Sequence, residues 1–285
     1  GKRWKPCIYG ARSQRVERRD LPLPGAIIDN HQESFGHAGR GSPHCILMPA
    51  VACFSCIETF MTPWVLLDSA QVPGNGGELR LYQRNDEFSI KIVGRGELMN
   101  SRVHGSEDAL AGQTCVRLEN HPQPRLLIGG LGMGFTLAAA LRHLGEQAQV
   151  VVAELVPAVV TWNRELLGEA AGHPLRDPRV TVCGCDVGRM LVTGERVYDA
   201  ILLDVDNGPE GLTRRENDWL YSVDGLNEAY AALRPRGVLA VWSAGPAREF
   251  LQRLRKVGFE VDEVRVRAHA SKGARHVIWF ARRMD

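Results

Sequence analysis

Three acidic residues, Glu154, Asp186 and Asp204, each stand at the end of an apolar run that is typical of a buried β-strand. The carboxyl ends of parallel strands meet at one edge of a sheet, where open α/β sheets bind ligands. We therefore expect the three carboxylates to share one rim, although they are far apart in the sequence. Such carboxylates can accept hydrogen bonds from ribose hydroxyls and amino groups, so the pattern predicts a nucleoside site. Taken singly, each acid is equally typical of a helix cap or a loop.

A glycine-rich turn precedes the first of these acids. Directly after an apolar run it contains Gly129, Gly130, Gly132 and Gly134. The G-x-G-x-G spacing lacks the third glycine of a dinucleotide fingerprint, because Phe135 occupies that place. Bare backbone would let the amino acid or amine end of an adenosyl sulfonium cofactor come close, while Glu154 accepts both ribose hydroxyls. The spacing therefore disfavours a nicotinamide, and a tight strand-to-helix turn without a ligand is the alternative.

The remaining acids suggest how a second reactant would be held. We expect Asp186 to contact the adenine amino group and Asp204 to lie nearest the sulfonium carbon. If the acceptor is an amine, Asp204 or Asp206 would hold it and remove its proton, and Tyr221 would shape its pocket. The alternatives are a simple β-turn at residues 206–208 and packing of Tyr221 against the sheet edge.

The elements that must position these residues can be predicted from periodicity. Beyond residue 122, apolar runs alternate with helical patterns, which predicts an α/β fold with a doubly wound, mostly parallel sheet. Before it, residues 78–82 and 88–92 alternate with period two around a turn, which predicts a hairpin in a small antiparallel β domain. Ser106, followed by two acids, predicts the start of a helix.

These patterns divide the chain into three parts. Residues 1–60 show no sustained period and are interpreted as a poorly ordered extension; a β-rich domain over 61–120 and a nucleoside-binding domain over 121–285 follow. Within the extension, Cys53 and Cys56 form one C-x-x-C half of a zinc site. Because no second half follows, the sequence predicts no metal site.

Composition excludes some partners. The 285 residues carry a net charge of +2, which gives no case for nucleic acid. No apolar run approaches the roughly 18 residues of a membrane span, and no secretory leader opens the chain. Seven cysteines, an odd number without framework spacing, favour reduced thiols in a cytoplasm.

Several of these segments together resemble a known family. The pieces that carry the resemblance are Leu127-Ile128-Gly129-Gly130, the acid in Val152-Ala153-Glu154-Leu155, Gly184-Cys185-Asp186, Tyr198 to Asp204 with Gly208-Pro209, and Trp219-Leu220-Tyr221. The chain resembles the spermidine synthases, the polyamine aminopropyltransferases, whose fold is that of the class I S-adenosylmethionine methyltransferases. The resemblance runs from about residue 78 to 242.

The resemblance implies a fold, a cofactor and a site. The fold would be a seven-stranded Rossmann-like methyltransferase sheet preceded by the small β domain. The cofactor would be S-adenosylmethionine or its decarboxylated form, the acceptor a small molecule, and the assembly a homodimer. The implied cofactor-binding residues are Gly129, Gly130, Gly132, Gly134, Glu154, Cys185, Asp186 and Asp204; the implied catalytic residues are Asp204, Asp206 and Tyr221.

Three departures bear on the activity. Residues 131–133 lack the aspartate of the family's G-G-G-D-G loop, residues 204–207 shorten its D-[ST]-[ST]-D-P loop, and residues 97–102 lack its glutamine. Because a buried ammonium without an anionic partner is costly, the missing loop acid favours methyl over aminopropyl transfer. An acid from Glu107 or Asp108 would restore the aminopropyltransferase alternative. Loss of family residues also leaves a non-catalytic nucleoside-binding scaffold as a hypothesis.

Overall fold

Four antiparallel strands form the first sheet of the computed structural model, which describes residues 62–74, 76–118, 121–205, 208–209, 215–269 and 272–284. The strands lie in the order β1-β2-β3-β4. Their bounds are Val65–Gln71 (β1), Glu78–Arg84 (β2), Glu87–Ile92 (β3) and Gly96–Asn100 (β4). The predicted hairpin is β2 and β3, with Leu81 opposite Ile90.

Seven strands form the second sheet. They are Arg125–Gly129 (β5), Gln149–Ala153 (β6), Val180–Cys183 (β7), Tyr198–Leu203 (β8), Leu233–Ser243 (β9), Phe259–His269 (β10) and Lys272–Arg283 (β11). The order is β10-β11-β9-β8-β5-β6-β7. Strands β7, β6, β5, β8 and β9 are parallel, and β11 is antiparallel to both of its neighbours. Chain order reverses at β5, which lies between β6 and β8, and such a reversal opens a ligand crevice at the strands' carboxyl ends.

Helices cover both faces of this sheet. They are Gly105–Arg117 (α1), Phe135–His143 (α2), Pro157–Arg164 (α3), Gly168–Ala171 (α4), Val187–Thr193 (α5), Val223–Ala232 (α6) and Arg248–Val257 (α7), with short 3-10 helices at Pro174–Arg176 and Arg215–Tyr221. No helix among the described residues is both long and apolar enough to cross a bilayer.

One apolar core joins the two sheets. Leu81 and Ile90 of the first sheet belong to the same buried cluster as Ile128 of β5 and Leu137 of α2. The opposite face of the large sheet packs on α5, α6 and α7 in a separate cluster. The predicted fold class is confirmed. The domain boundary predicted near residue 120 stays a prediction, and the extension predicted over residues 1–60 lies outside the described residues.

One element boundary differs from its prediction, and one strand has an irregular start. Helix α1 has His104 as its N-cap residue, so Ser106 lies inside the first turn rather than capping it. The chain also leaves α6 directly into β9, whose first residue, Leu233, already pairs with Tyr198 of β8. Residues 234–237 form a bulge, because pairing with β8 resumes only at Val238, opposite Ala200.

Candidate active site

The glycine-rich turn between β5 and α2 has two glycines that local geometry requires. Gly130 has a φ of +88°, and a Cβ there would collide with the Asp204 carbonyl oxygen. Its N–H donates to the Ala153 carbonyl oxygen at 2.9 Å. Gly132 has a φ of +53°, and a Cβ would lie 3.2 Å from the Met99 sulfur. Both glycines line a cleft at the carboxyl edge of the large sheet.

This rim cleft has walls from both sheets. The large sheet contributes Gly130, Gly132, Glu154, Cys185, Asp186 and Asp204, and the small sheet contributes Leu79, Ile90, Ile92 and Met99. The three predicted acids therefore do meet at one rim. The cleft is mainly apolar on the small-sheet side and acidic on the other, an arrangement suited to a flat base joined to a polar sugar.

Gly129 and Gly134 have packing roles instead of lining the rim cleft. A Cβ on Gly129 would press on Val187 and Leu203 side chains. Gly134 caps α2 with a φ of +84°, and a Cβ there would lie 2.8 Å from the Asn163 Oδ1 atom. Both glycines therefore pack closely against protein, and their contact with a cofactor stays a prediction.

Glu154 follows β6 and is 8% exposed. Its Oε2 accepts the Leu131 N–H at 2.9 Å, and its Oε1 accepts the Val156 N–H at 2.8 Å. Burial raises the pKa of Glu154, and these backbone hydrogen bonds oppose the shift. Since each carboxylate oxygen has two lone pairs, both oxygens can still accept a ligand hydroxyl.

Asp186 follows β7, where it both caps α5 and lines the rim cleft. Its Oδ1 accepts the Gly188 N–H at 2.7 Å, which caps α5. The helix-cap alternative is therefore realised for this acid. Asp186 also lines the rim cleft beside Cys185, so capping with one oxygen leaves a second oxygen for a ligand.

Asp204 follows β8 at the centre of the site. Its N–H donates to the Gly129 carbonyl oxygen at 3.0 Å, and its Oδ2 accepts the Thr136 hydroxyl at 2.6 Å. Burial raises the pKa of the Asp204 carboxyl, and the bond from Thr136 opposes that shift. Asp204 thus lies where β5 and β8 meet, and its place nearest the sulfonium carbon stays a prediction.

Glu107, which the sequence offered only as a substitute acid, lies in the first turn of α1. Together with Asp204, Thr136, Phe135 and Trp242, it lines a recess that we call the α1 recess, which shares Gly132 and Asp204 with the rim cleft. Burial, followed by the charge of Asp204, raises the pKa of Glu107 to about 7. Acids in the first turn of α1 were the sequence signal for this residue.

Tyr221 does not reach either pocket. It is 1% exposed, its hydroxyl donates to the Val205 carbonyl oxygen at 3.1 Å, and its ring packs edge-on against Phe250. Tyr221 therefore supports the backbone after Asp204, and its predicted role at an acceptor pocket stays a prediction. Asp206, the other predicted catalytic acid, lies outside the described residues, as does the C-x-x-C pair of the extension.

The strand order, with the glycine turn and acids at its switch point, defines the class I methyltransferase-like fold. The chain is 30% identical over 228 residues to the polyamine aminopropyltransferase of Korarchaeum cryptofilum (strain OPF8). That match covers 79% of this chain but 63% of the relative, so the chain spans a little under two thirds of that protein's length. No protein-family model matches the chain.

Solved structures support the same fold. Spermidine synthase from Thermotoga maritima superposes with a TM-score of 0.61 at 18% identity, covering 76% of this chain and 72% of that one. A probable spermidine synthase from Corynebacterium glutamicum gives 0.55 at 17% identity, covering 76% and 79%. The predicted resemblance to the spermidine synthases and polyamine aminopropyltransferases is confirmed.

Proposed function

We propose that this protein is an aminopropyltransferase, which moves an aminopropyl group from decarboxylated S-adenosylmethionine to a small amine acceptor. The observation that carries the proposal is the placement of Glu107 beside Asp204 in the α1 recess, next to the glycine-rich turn. A second acid therefore reaches the place where residues 131–133 supply none. The named relative, a polyamine aminopropyltransferase, supports the same activity.

The rim cleft fits the adenosyl part of such a cofactor. Gly130 and Gly132 line this cleft without side chains, and Glu154 presents two oxygens, each held by a backbone N–H group, to ribose hydroxyls. Asp186 and Cys185 line the end where the adenine would lie, and Leu79 and Ile90 offer apolar surface to its face. Each residue type matches the part of the cofactor assigned to it.

Charge distinguishes the two cofactor forms. Decarboxylated S-adenosylmethionine brings an ammonium to the α1 recess, whereas S-adenosylmethionine brings an ammonium and a carboxylate. Two unit charges about 5 Å apart interact by about 3 kcal/mol at an effective dielectric constant of about 20. A third carboxylate near Glu107 and Asp204 would therefore weaken binding by about a hundredfold, while an ammonium replaces the proton that Glu107 otherwise retains.

The side chains of the recess then have defined tasks in the transfer. The cofactor supplies an electrophilic carbon bonded to a sulfonium. Asp204 holds the acceptor amine near that carbon and accepts the proton that the amine must lose before it attacks. Thr136 fixes the Asp204 oxygen that it donates to, so the other oxygen faces the acceptor. Phe135 and Trp242 form aromatic walls that exclude water and suit a cationic amine.

Methyl transfer from S-adenosylmethionine is the second candidate. The observation that favours it is the start of α2, which follows the glycine-rich turn without an acid in its first turn. Backbone N–H groups at such a helix start suit a carboxylate. Glu107 and Asp204 oppose this alternative electrostatically.

Calorimetric titration tests the proposal. We expect the purified protein to bind decarboxylated S-adenosylmethionine at least tenfold more tightly than S-adenosylmethionine, and Glu107→Gln to remove that preference. Glu154→Ala should abolish binding of both. With putrescine as acceptor, 5′-methylthioadenosine should accumulate. Preference for S-adenosylmethionine with S-adenosylhomocysteine as product would instead establish methyl transfer, and binding without turnover would favour the scaffold hypothesis.

We also propose that the protein is a cytoplasmic homodimer. The seven cysteines are an odd number without framework spacing, which suits a reducing compartment. Strand β1 is an edge of the small sheet and exposes Val65 and Leu66. An exposed apolar edge strand is suited to pairing with a second copy. Sedimentation of the protein with and without a Leu66→Lys substitution would test this assembly.

A further inference from the structure

A buried serine connects the acid of the α1 recess to a histidine on the C-terminal strand. Ser106 is 1% exposed, and its hydroxyl donates to Glu107 Oε2 at 2.7 Å. The same hydroxyl oxygen lies 3.0 Å from His276 Nδ1. The His276 ring is held by an edge-on contact with Trp242, at 4.8 Å between ring centroids. Three elements, α1, β9 and β11, thus meet around one short chain of hydrogen bonds.

The single proton of the Ser106 hydroxyl gives this chain a direction. When Glu107 is ionised, the hydroxyl donates to the carboxylate, so His276 must carry its proton on Nδ1 to donate to the Ser106 oxygen. When Glu107 is protonated, the carboxyl donates to Ser106, which then donates to an unprotonated Nδ1. The tautomer of His276 is therefore tied to the charge of Glu107. Burial lowers the pKa of His276, which keeps the ring neutral near pH 7.

We propose that Ser106 and His276 are positioning residues that stabilise the ionised form of Glu107 and aim its carboxylate into the α1 recess. This inference rests on the proposed function, because an ionised Glu107 is what an ammonium group requires there. The Ser106 hydroxyl donates one charge-assisted hydrogen bond to Glu107 Oε2, which leaves Oε1 for the ligand. No proton is transferred in this role: His276 donates from Nδ1, Ser106 relays, and Glu107 accepts.

The other ionisable groups near Glu107 either raise its pKa, which opposes the effect of Ser106 and His276, or are paired with an opposite charge. Asp204, at the end of β8, is the main charge that raises the pKa of Glu107, and Asp108 adds a smaller contribution. Asp108 is itself paired with Arg142 of α2 at 2.6 Å and with His104 at 2.9 Å. Around His276, Val266 of β10 lies directly opposite in the sheet and does not titrate.

The first test reads the His276 tautomer by nitrogen NMR in the ligand-free protein. Between pH 6 and 8.5, the proton should move from Nε2 to Nδ1 with a midpoint near 7, the pKa of Glu107. In Ser106→Ala the tautomer should no longer follow pH. A tautomer that stays constant in the wild-type protein while the Glu107 carboxyl titrates would overturn the inference, whatever the protein catalyses.

The second test separates positioning from packing with two substitutions of the same histidine. An asparagine places an N–H close to the position of Nδ1, so His276→Asn should keep the midpoint of Glu107, whereas His276→Ala should raise it by about one pH unit. At pH 7 that rise reduces the ionised fraction about fivefold, and binding of decarboxylated S-adenosylmethionine should weaken by a similar factor. Equal effects of the two variants would contradict the role.

A matched control and a second readout complete the design. His121, whose Nε2 lies 3.6 Å from Asp199 at the other end of the sheet, provides the control His121→Ala, which should leave both the midpoint and the affinity unchanged. Raising the pH to 8.5 should restore cofactor affinity to His276→Ala. Failure of that restoration would assign the loss to packing and overturn the inference; failure of the wild-type protein to bind the cofactor would instead count against the proposed function.

Discussion

Substitution of Gly130 by alanine should damage the site through two separable effects. The φ of +88° disfavours any L side chain, which costs about 1–2 kcal/mol. The added Cβ would also collide with the Asp204 carbonyl oxygen, which belongs to backbone and cannot rotate away. Overpacking of this kind costs about 1–3 kcal/mol more. We therefore expect Gly130→Ala to lower the free energy of unfolding by about 2–5 kcal/mol and to displace Asp204.

Two other glycines isolate these contributions. Gly77 has a φ of +92°, but an added Cβ would meet no atom within 4 Å, so Gly77→Ala should show the conformational cost alone. Gly145 also has open space at its Cβ position and no positive φ, so Gly145→Ala should be neutral or slightly stabilising. Urea unfolding of the three variants, followed by circular dichroism, measures the series.

The order of the three variants is the decisive result. If Gly130→Ala were no less stable than Gly77→Ala, the contact between the turn and Asp204 would not constrain the site. Titration with decarboxylated S-adenosylmethionine adds a second comparison. Gly77→Ala and Gly145→Ala should retain the wild-type Kd, whereas Gly130→Ala should lose measurable binding.

Three further predictions concern charged and polar groups. Glu154→Ala should lower the free energy of unfolding by about 2–4 kcal/mol in urea titrations, because two buried backbone amides lose their acceptor. The pKa of Glu107 is raised from 4.5 in the unfolded chain to about 7 in the folded protein, so the folded state binds a proton more tightly. The stability that this proton contributes is fully present below pH 4.5 and is lost as the pH rises through 7. Glu107→Gln should therefore be more stable than the wild-type protein at pH 8, by up to about 3 kcal/mol, with a smaller difference at pH 6; equal stabilities at pH 8 would contradict this. Tyr221→Phe should cost about 0.5–1.5 kcal/mol through the lost bond to Val205 and should slow transfer while leaving the cofactor Kd unchanged, as measured by steady-state kinetics and calorimetry.

Sheet topology explains why the acids could be predicted to meet. Glu154, Asp186 and Asp204 each follow a parallel strand, and parallel strands bring their carboxyl ends to one edge whatever the loop lengths. Period-two alternation likewise located the hairpin of β2 and β3, because one face of that pair is buried. Local periodicity was sufficient for both predictions.

Contacts between distant segments could not be predicted in the same way. Helical periodicity in α1 does not reveal that its first turn faces the end of β8, so Glu107 was a candidate without a position. The link from Ser106 to His276 spans 170 residues of sequence and depends on how α1 packs against β11. Tyr221 fits an aromatic pocket wall and a buried support equally well by residue type, and only the tertiary structure shows that its ring is buried.

The two-sided construction of the rim cleft has an evolutionary consequence. Leu79, Ile90 and Met99 form its apolar wall, and none of them belongs to the glycine turn or to the acidic rim. Substitutions at these strand positions can reshape the cleft while the acids proposed to hold ribose stay unchanged. Under the proposed function, selectivity and anchoring are encoded in separate stretches of the gene, so single codon changes can alter the first without loss of the second.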